Sequence, residues 1–160
     1  MSDIAVGIAD MAVAKAPHTI TTLGLGSCVG IVLYDKIHKV GGLAHVLLPN
    51  APANGDTNLA KYADTAAKEL LRRMLNLGAV SSLTVGKLAG GAHMFCGVEQ
   101  VNVMQIGKRN VEQSLLALAR CSITVIAQDV GGSSGRTIVL DCETGALTVR
   151  TAWPRTDKSI

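Results

Sequence analysis

Two side chains in this 160-residue chain could make a nucleophile between them. Cys28 closes the glycine-rich run Thr22-Leu23-Gly24-Leu25-Gly26-Ser27 and opens the apolar segment Val29-Gly30-Ile31-Val32-Leu33-Tyr34-Asp35. His45 follows in a second apolar run, Gly42-Leu43-Ala44-His45-Val46-Leu47-Leu48-Pro49. A thiol attacks as its thiolate and needs a base to form one near neutral pH, which an imidazole on a neighbouring strand can supply. The implied chemistry is attack of sulfur on an electrophilic carbon such as an amide carbonyl. Plainer roles compete with it. A cysteine is often only a small buried hydrophobe, and His45 could be a neutral core histidine bonded to a carbonyl. Cys96, Cys121 and Cys142 fit that packing role, His93 with Cys96 makes a rival pair on a loop, and His18 and His38 read as surface residues.

The elements that carry Cys28 and His45 decide whether they meet. Their apolar runs are separated by Asp35-Lys36-Ile37-His38-Lys39-Val40, short enough for an antiparallel hairpin. With a four-residue loop, 36–39, Asp35 faces Val40, Gly30 faces His45 and Cys28 faces Leu47. Cys28 and His45 are then diagonal neighbours on one face, ~7–8 Å apart by backbone, with Gly30 leaving room beside the imidazole. A loop one residue shorter or longer would turn them to opposite faces. The other face, Val29, Ile31, Leu33, Ala44, Val46 and Leu48, is wholly apolar, so both sides of the hairpin should be covered.

Around this hairpin the pattern predicts strands over 4–8, 11–15, 18–22, 28–34 and 42–48, then a polar loop at 49–56. Helical periodicity follows through Leu59, Ala63, Ala66, Ala67, Leu70, Leu71, Met74 and Leu75, with caps at 56–58 and a stop at Gly78. A strand at 83–88 leads into Gly90-Gly91-Ala92-His93-Met94-Phe95, a loop whose Gly90 and Gly91 would let backbone approach a substrate. A second helix over about 107–120, a strand at 123–128 and a hairpin, 137–141 with 146–150, complete the core. The expected architecture is α+β: a single-domain layered sandwich of mainly antiparallel or mixed β-sheet with two main helices packed on one side, an α/β/β arrangement. The one domain fills 1–160, with its core at about 4–150 and a flexible tail at 154–160.

Composition excludes several classes. Almost half the residues are hydrophobic, 48%, but no apolar run approaches the ~18–20 residues of a spanning helix, so no membrane insertion is expected. Nothing at the start resembles an export signal, which places the protein in the cytoplasm with reduced thiols. A formal charge of +3 with only 2% aromatics gives neither a basic stripe nor stacking surfaces, arguing against nucleic acid. The four cysteines form no C-x-x-C pair and no zinc pattern, so neither a metal nor another cofactor is expected. Gly24-x-Gly26 lacks the third glycine of a dinucleotide fingerprint, and Gly131-Gly132-Ser133-Ser134-Gly135-Arg136 lacks the Gly-Lys-Ser/Thr of a phosphate loop. Gly24 and Gly26 instead expose backbone N–H groups near the thiol.

Taken together, Thr22-Leu-Gly-Leu-Gly-Ser-Cys28-Val, Ala44-His45-Val-Leu-Leu-Pro49, Lys61-Tyr-Ala-Asp-Thr-Ala66, Gly90-Gly-Ala and Met94-Phe95 resemble the CheD family of bacterial chemotaxis deamidases. The resemblance runs from about residue 4 to 150. It implies a site like that of the cytotoxic necrotizing factor toxins, with Cys28 as nucleophile, His45 as base and Thr22 as the third member. It further implies conversion of glutamine side chains on methyl-accepting chemotaxis receptors to glutamate with release of ammonia, through a thioester. The backbone N–H of Cys28, with one neighbour from Gly26 or Ser27, would support the oxyanion, and the protein would work in the cytoplasm at receptor arrays. A CheC-type phosphatase is a second partner that the resemblance brings. Two other readings stay open: a non-catalytic adaptor that binds receptors and regulates such a phosphatase, and a cysteine hydrolase or transamidase acting on another amide.

Overall fold

A computed structural model describes residues 2–93, 101–152 and 154–160, the side chains of 101–104 apart. The chain forms ten strands and two long helices among those residues. In order these are β1 (Asp3–Val6), β2 (Met11–Lys15), β3 (Thr19–Leu25), β4 (Val29–Asp35), β5 (Val40–Val46), α1 (Ala63–Asn76), β6 (Thr84–Gly90), α2 (Val101–Arg120), β7 (Thr124–Val130), β8 (Arg136–Asp141), β9 (Leu147–Ala152) and β10 (Arg155–Ser159). They make two five-stranded sheets, β1-β3-β8-β9-β10 and β2-β5-β4-β6-β7. Both are mixed, because β1 runs parallel to β3 and β6 parallel to β7 while the other pairs are antiparallel.

The hairpin at the centre explains the layering. Every residue of β4 and β5 is buried, so each face must meet a partner. On one face Val29, Ile31, Leu33, Ala44 and Val46 join Ala63, Ala66, Ala67, Leu70 and Met74 of α1 and Leu118 of α2. On the other, Val32 and Leu43 join Ile20 and Leu25 of β3, Ile138 and Leu140 of β8, and Leu147 and Val149 of β9. The result is the expected α/β/β sandwich: helices, second sheet, first sheet. Its two apolar seams are filled almost without aromatics, since Ala positions on α1 let the helix sit close to the sheet.

Details of several elements differ from expectation for local reasons. Helix α1 begins at Ala63, with Tyr62 at the N-cap position and no side-chain cap. The residues read as caps organise the preceding loop instead: Asp56 accepts hydrogen bonds from Asn58 N–H and the Tyr62 hydroxyl, and Asn58 accepts one from Ala60 N–H. Strand β3 continues to Leu25 through a bulge between Thr22 and Leu25 where it pairs with β8. The one extra residue bows the strand outward there, leaving Leu23 67% exposed. Residues 155–159, expected in a flexible tail, form β10 and pair along β9 from Arg155↔Ala152 to Ser159↔Thr148. All five are solvent-exposed, so backbone pairing with β9 and polar side-chain links such as Lys158 to Asp129 hold them, with no hydrophobic signal in the sequence.

Candidate active site

The hairpin loop has four residues, 36–39, and the register is Asp35↔Val40 and Gly30↔His45. Asp35 fixes it. Its fully buried carboxylate accepts from Ile37 N–H, His38 N–H, the His38 ring and Val80 N–H, closing the turn and tying it to the segment after α1. This register puts His45 on the same face as Leu43, toward the seam between the sheets, and the turn before β4 brings Cys28 to that seam. The space beside Gly30 is not reserved for the imidazole: a Cβ there would meet Ile138 Cδ1 at 2.6 Å and Leu25 Cδ1 at 3.3 Å. Gly30 therefore lets the first sheet close onto the second.

Thr22 reaches His45 from the opposite sheet. Its Oγ1 lies 2.7 Å from His45 Nδ1 and 2.7 Å from the Val6 carbonyl oxygen, all in buried surroundings. A hydroxyl has one proton to give and the Val6 carbonyl can only accept, so Oγ1 donates to Val6 and accepts from Nδ1–H. That assigns the tautomer: the lone pair sits on Nε2, which is buried and has no hydrogen-bond partner. The backbone of His45 is held as well, with its N–H donating to the Asp10 carbonyl and its carbonyl accepting from Ala9 N–H.

Cys28 is 7% exposed and its thiol is free. Burial pushes the thiol pKa up, with its own backbone N–H pulling in the other direction, and burial pushes the His45 pKa down. Both effects work against the charged forms, thiolate and imidazolium. No hydrogen bond joins Nε2 to the sulfur in this arrangement. Cys142 is fully buried, and desolvation with Asp141 nearby raises its thiol to about 11, which makes it inert. Cys121 is half-buried with its pKa also raised by desolvation. The rival pairing of His93 with Cys96, together with Met94 and Phe95, falls outside the described residues.

The turn that presents Cys28 is gripped through three successive carbonyls. The Gly26 carbonyl accepts from Ala92 N–H and the Cys28 carbonyl from Gly91 N–H, each at 2.8 Å. The Ser27 carbonyl accepts from Asn110 Nδ2 of α2 at 2.9 Å. Gly90 and Gly91, expected at a substrate rim, are buried beneath this turn. Gly90 has φ +109 and a Cβ there would lie 2.3 Å from the Cys28 carbonyl; Gly91 has φ +68 and abuts α2 at Val111 and Gly107. Their glycine identity serves the support of Cys28. The Gly131–Arg136 stretch braces the same segment, with Gly131 N–H and Arg136 Nη1 donating to the Gly90 carbonyl and His93 N–H donating to Gly132. Asn110 escaped the reading of the sequence. The available signal was Asn110 and Ser114, polar and fully buried one turn apart in an amphipathic helix. Among the described residues, no three His, Cys, Asp or Glu side chains gather as a metal site.

A family model described as CheD chemotactic sensory transduction matches residues 47–151, well over half of the chain. The chain belongs to the CheD family. A CheD from Desulfitobacterium hafniense, named as a probable chemoreceptor glutamine deamidase, is 50% identical over 148 residues, covering 92% of each chain. The chemoreceptor glutamine deamidase CheD of Halalkalibacterium halodurans is 48% identical over 154 residues, covering 94% of this chain and 95% of its own. The matched family model begins after His45, but alignments of this length necessarily span positions 22, 28 and 45. Among solved structures, a Neisseria meningitidis protein described as DUF152 superposes with a TM-score of 0.50 at 9% identity, over 82% of this chain and 64% of that one. That likeness concerns the fold alone.

Proposed function

We propose that this CheD chain is a cysteine-dependent protein-glutamine deamidase acting on chemoreceptors. One observation carries the reading: Thr22, from the first sheet, orients His45 of the second so that a buried, unpartnered Nε2 lone pair lies at the seam that also receives Cys28. The names of its relatives support the substrate class.

In the proposed reaction His45 Nε2 takes the Cys28 proton as sulfur attacks the glutamine carboxamide carbon, forming the C–S bond and placing charge on oxygen. Because burial works against both charged forms, proton transfer accompanies attack in this reaction. The imidazolium is steadied through Nδ1–H by a neutral hydroxyl oxygen, a weaker support than a carboxylate. His45 then returns the proton to nitrogen, the C–N bond breaks and ammonia leaves a thioester. A water, deprotonated by His45, attacks that thioester; glutamate departs and sulfur regains its proton. The Cys28 N–H, with Ser27 N–H beside it, would donate to the oxyanion. The receptor side chain must enter from the cytoplasm, where the protein would join receptor arrays.

Mass spectrometry of a receptor fragment tests this. With the parent protein a specific glutamine gains about one dalton as amide becomes acid, and Cys28→Ala or His45→Ala leaves the mass unchanged. An unchanged mass with the parent protein favours an adaptor that regulates a CheC-type phosphatase. Equal activity on free glutamine or unrelated peptides favours a general amide hydrolase.

A further inference from the structure

We infer that Asn110, on helix α2, is a positioning residue that aims the Cys28 N–H at the developing oxyanion and holds the nucleophile turn in register with the base-bearing strand; this rests on the deamidase reading above. Asn110 is fully buried, and its Nδ2 donates to two carbonyls, Ser27 at 2.9 Å and Leu47 at 3.1 Å. Ser27 immediately precedes Cys28, and Leu47 lies two residues beyond His45. One amide group therefore ties the segment carrying the sulfur to the segment carrying the imidazole. The orientation of the carboxamide is unambiguous, because turning it over would set its oxygen against two carbonyl oxygens.

The consequence for chemistry comes from peptide planarity. The Ser27 carbonyl and the Cys28 N–H belong to one peptide unit and point in opposite directions across it. Fixing the carbonyl toward α2 directs the N–H away from α2, to the side where the sulfur lies. The same N–H favours the anionic form of the Cys28 sulfur. Flanking carbonyls of Gly26 and Cys28 are held by Ala92 and Gly91 N–H groups, so Asn110 supplies the one side-chain anchor in the grip. Among the described residues, the Ser27 and Cys28 N–H groups have no backbone carbonyl partner, so a substrate oxygen need displace no main-chain carbonyl to reach them. Ser114 Oγ donates to the Asn110 carbonyl one turn on, steadying the helix where this polar residue is embedded.

Oxyanion support and thiol activation can be separated by experiment. Deamidation builds negative charge on a carbonyl oxygen. Alkylation of the same sulfur by iodoacetamide does not: the C–S bond forms as the C–I bond breaks, iodide leaves, and the thiol proton passes to His45 or solvent. Asn110→Ala and Asn110→Ser should be compared with the parent protein for receptor-fragment kcat and KM, for melting temperature, and for the pH dependence of alkylation read on the Cys28 peptide. The expected result is a fall in kcat of about tenfold to a hundredfold with KM within about threefold. Alkylation of the ionised thiol should stay within about threefold, and any movement of its midpoint should be upward, because the Cys28 N–H favours the anion. Unchanged kcat in both variants would overturn the inference, as would parallel loss of deamidation and alkylation in folded protein. Failure of both variants to fold would make Asn110 an architectural residue and overturn it too. A parent protein without deamidase activity would remove the underlying reading and the inference with it, whereas an active parent with unaffected variants would remove the inference alone.

Discussion

His45 is set up by a single shared hydroxyl. Because Thr22 Oγ1 spends its proton on Val6, the imidazole is confined to one tautomer, and replacing Thr22 removes that constraint without touching sulfur or Nε2. Thr22→Val keeps the shape but leaves Nδ1–H and the Val6 carbonyl unpaired. It should lower kcat about 10–100-fold, as loss of an orienting partner commonly does, and cost about 1–3 kcal/mol of stability; steady-state kinetics and urea unfolding read the two effects. Titration of the same residue sets the pH behaviour. Burial holds His45 below its ordinary value of 6.5, so the base stays neutral, and deamidation persists, at pH values where a free imidazole would be protonated. The acid limb of kcat/KM should therefore have its midpoint below 6.5; a midpoint above it would contradict the burial argument. The unfolded chain takes up this proton first as pH falls from 6.5, so the His45 contribution to stability is present above that pH and declines below it toward the folded value. At this scale the sequence was partly legible. Cys28 and His45 stand out by type and spacing, but Thr22 could be assigned only through resemblance, since nothing in a linear reading says that β3 of one sheet faces β5 of the other. For Asn110 the amphipathic helix offered only a polar pair with Ser114; its role was not legible, because its partners are backbone carbonyls 83 and 63 positions away.

The central hairpin turns those residues into a site, and its register is the critical quantity: one residue of slip would swing His45 from the inter-sheet seam to the helix-packed face. Asp35 guards against that slip by accepting three backbone N–H groups at the loop and at Val80. Desolvation would raise its pKa, yet the hydrogen bonds from His38, Val80 and Ile37 outweigh it and hold the carboxyl below the usual carboxylate value. Asp35→Ala should destabilise the protein by about 3 kcal/mol, since it strands buried N–H donors, and should lower activity with it. In the parent, this Asp35 contribution is present above the ordinary carboxylate pKa and is lost as pH falls through the lowered folded value, which urea midpoints measured at successive pH values would show. The four-residue loop was readable because polar residues 36–39 separate two long apolar runs. The start of α1 was not, because Asp56 and Asn58 have the chemistry of caps and use it on loop partners instead. The strand at 155–159 was invisible for the opposite reason: Arg-Thr-Asp-Lys-Ser carries no apolar alternation, and it is the open edge of β9, with ion pairs to Asp129 and Arg150, that makes it a strand.

Across the whole molecule, the site exists only where the two sheets meet. Thr22 arrives from β3, His45 from β5, and the cysteine turn is braced by the end of β6 and by α2. No layer carries the proposed set by itself. Activity and far-UV circular dichroism should therefore be lost in one coincident urea transition; activity vanishing well before the secondary structure would indicate that the seam opens as a separate unit. The layered architecture followed from the sequence because both faces of the hairpin are apolar, which demands cover on each side. The partition of strands between the two sheets did not follow, since β1 and β2 are adjacent in the chain yet belong to different sheets. No helix among the described residues is long and apolar enough to cross a membrane, and the net charge of +3 is too small to choose a partner by itself. The central claim is that Cys28 sulfur bonds to the substrate carbon, and a single-turnover reaction with a receptor fragment, quenched in acid and digested, tests it most directly. The account predicts a transient thioester adduct on the Cys28 peptide, equal to the fragment less ammonia, that decays as glutamate appears. Deamidated fragment formed with no adduct in Cys28→Ala protein, or an adduct on Cys96, Cys121 or Cys142 instead, would contradict it.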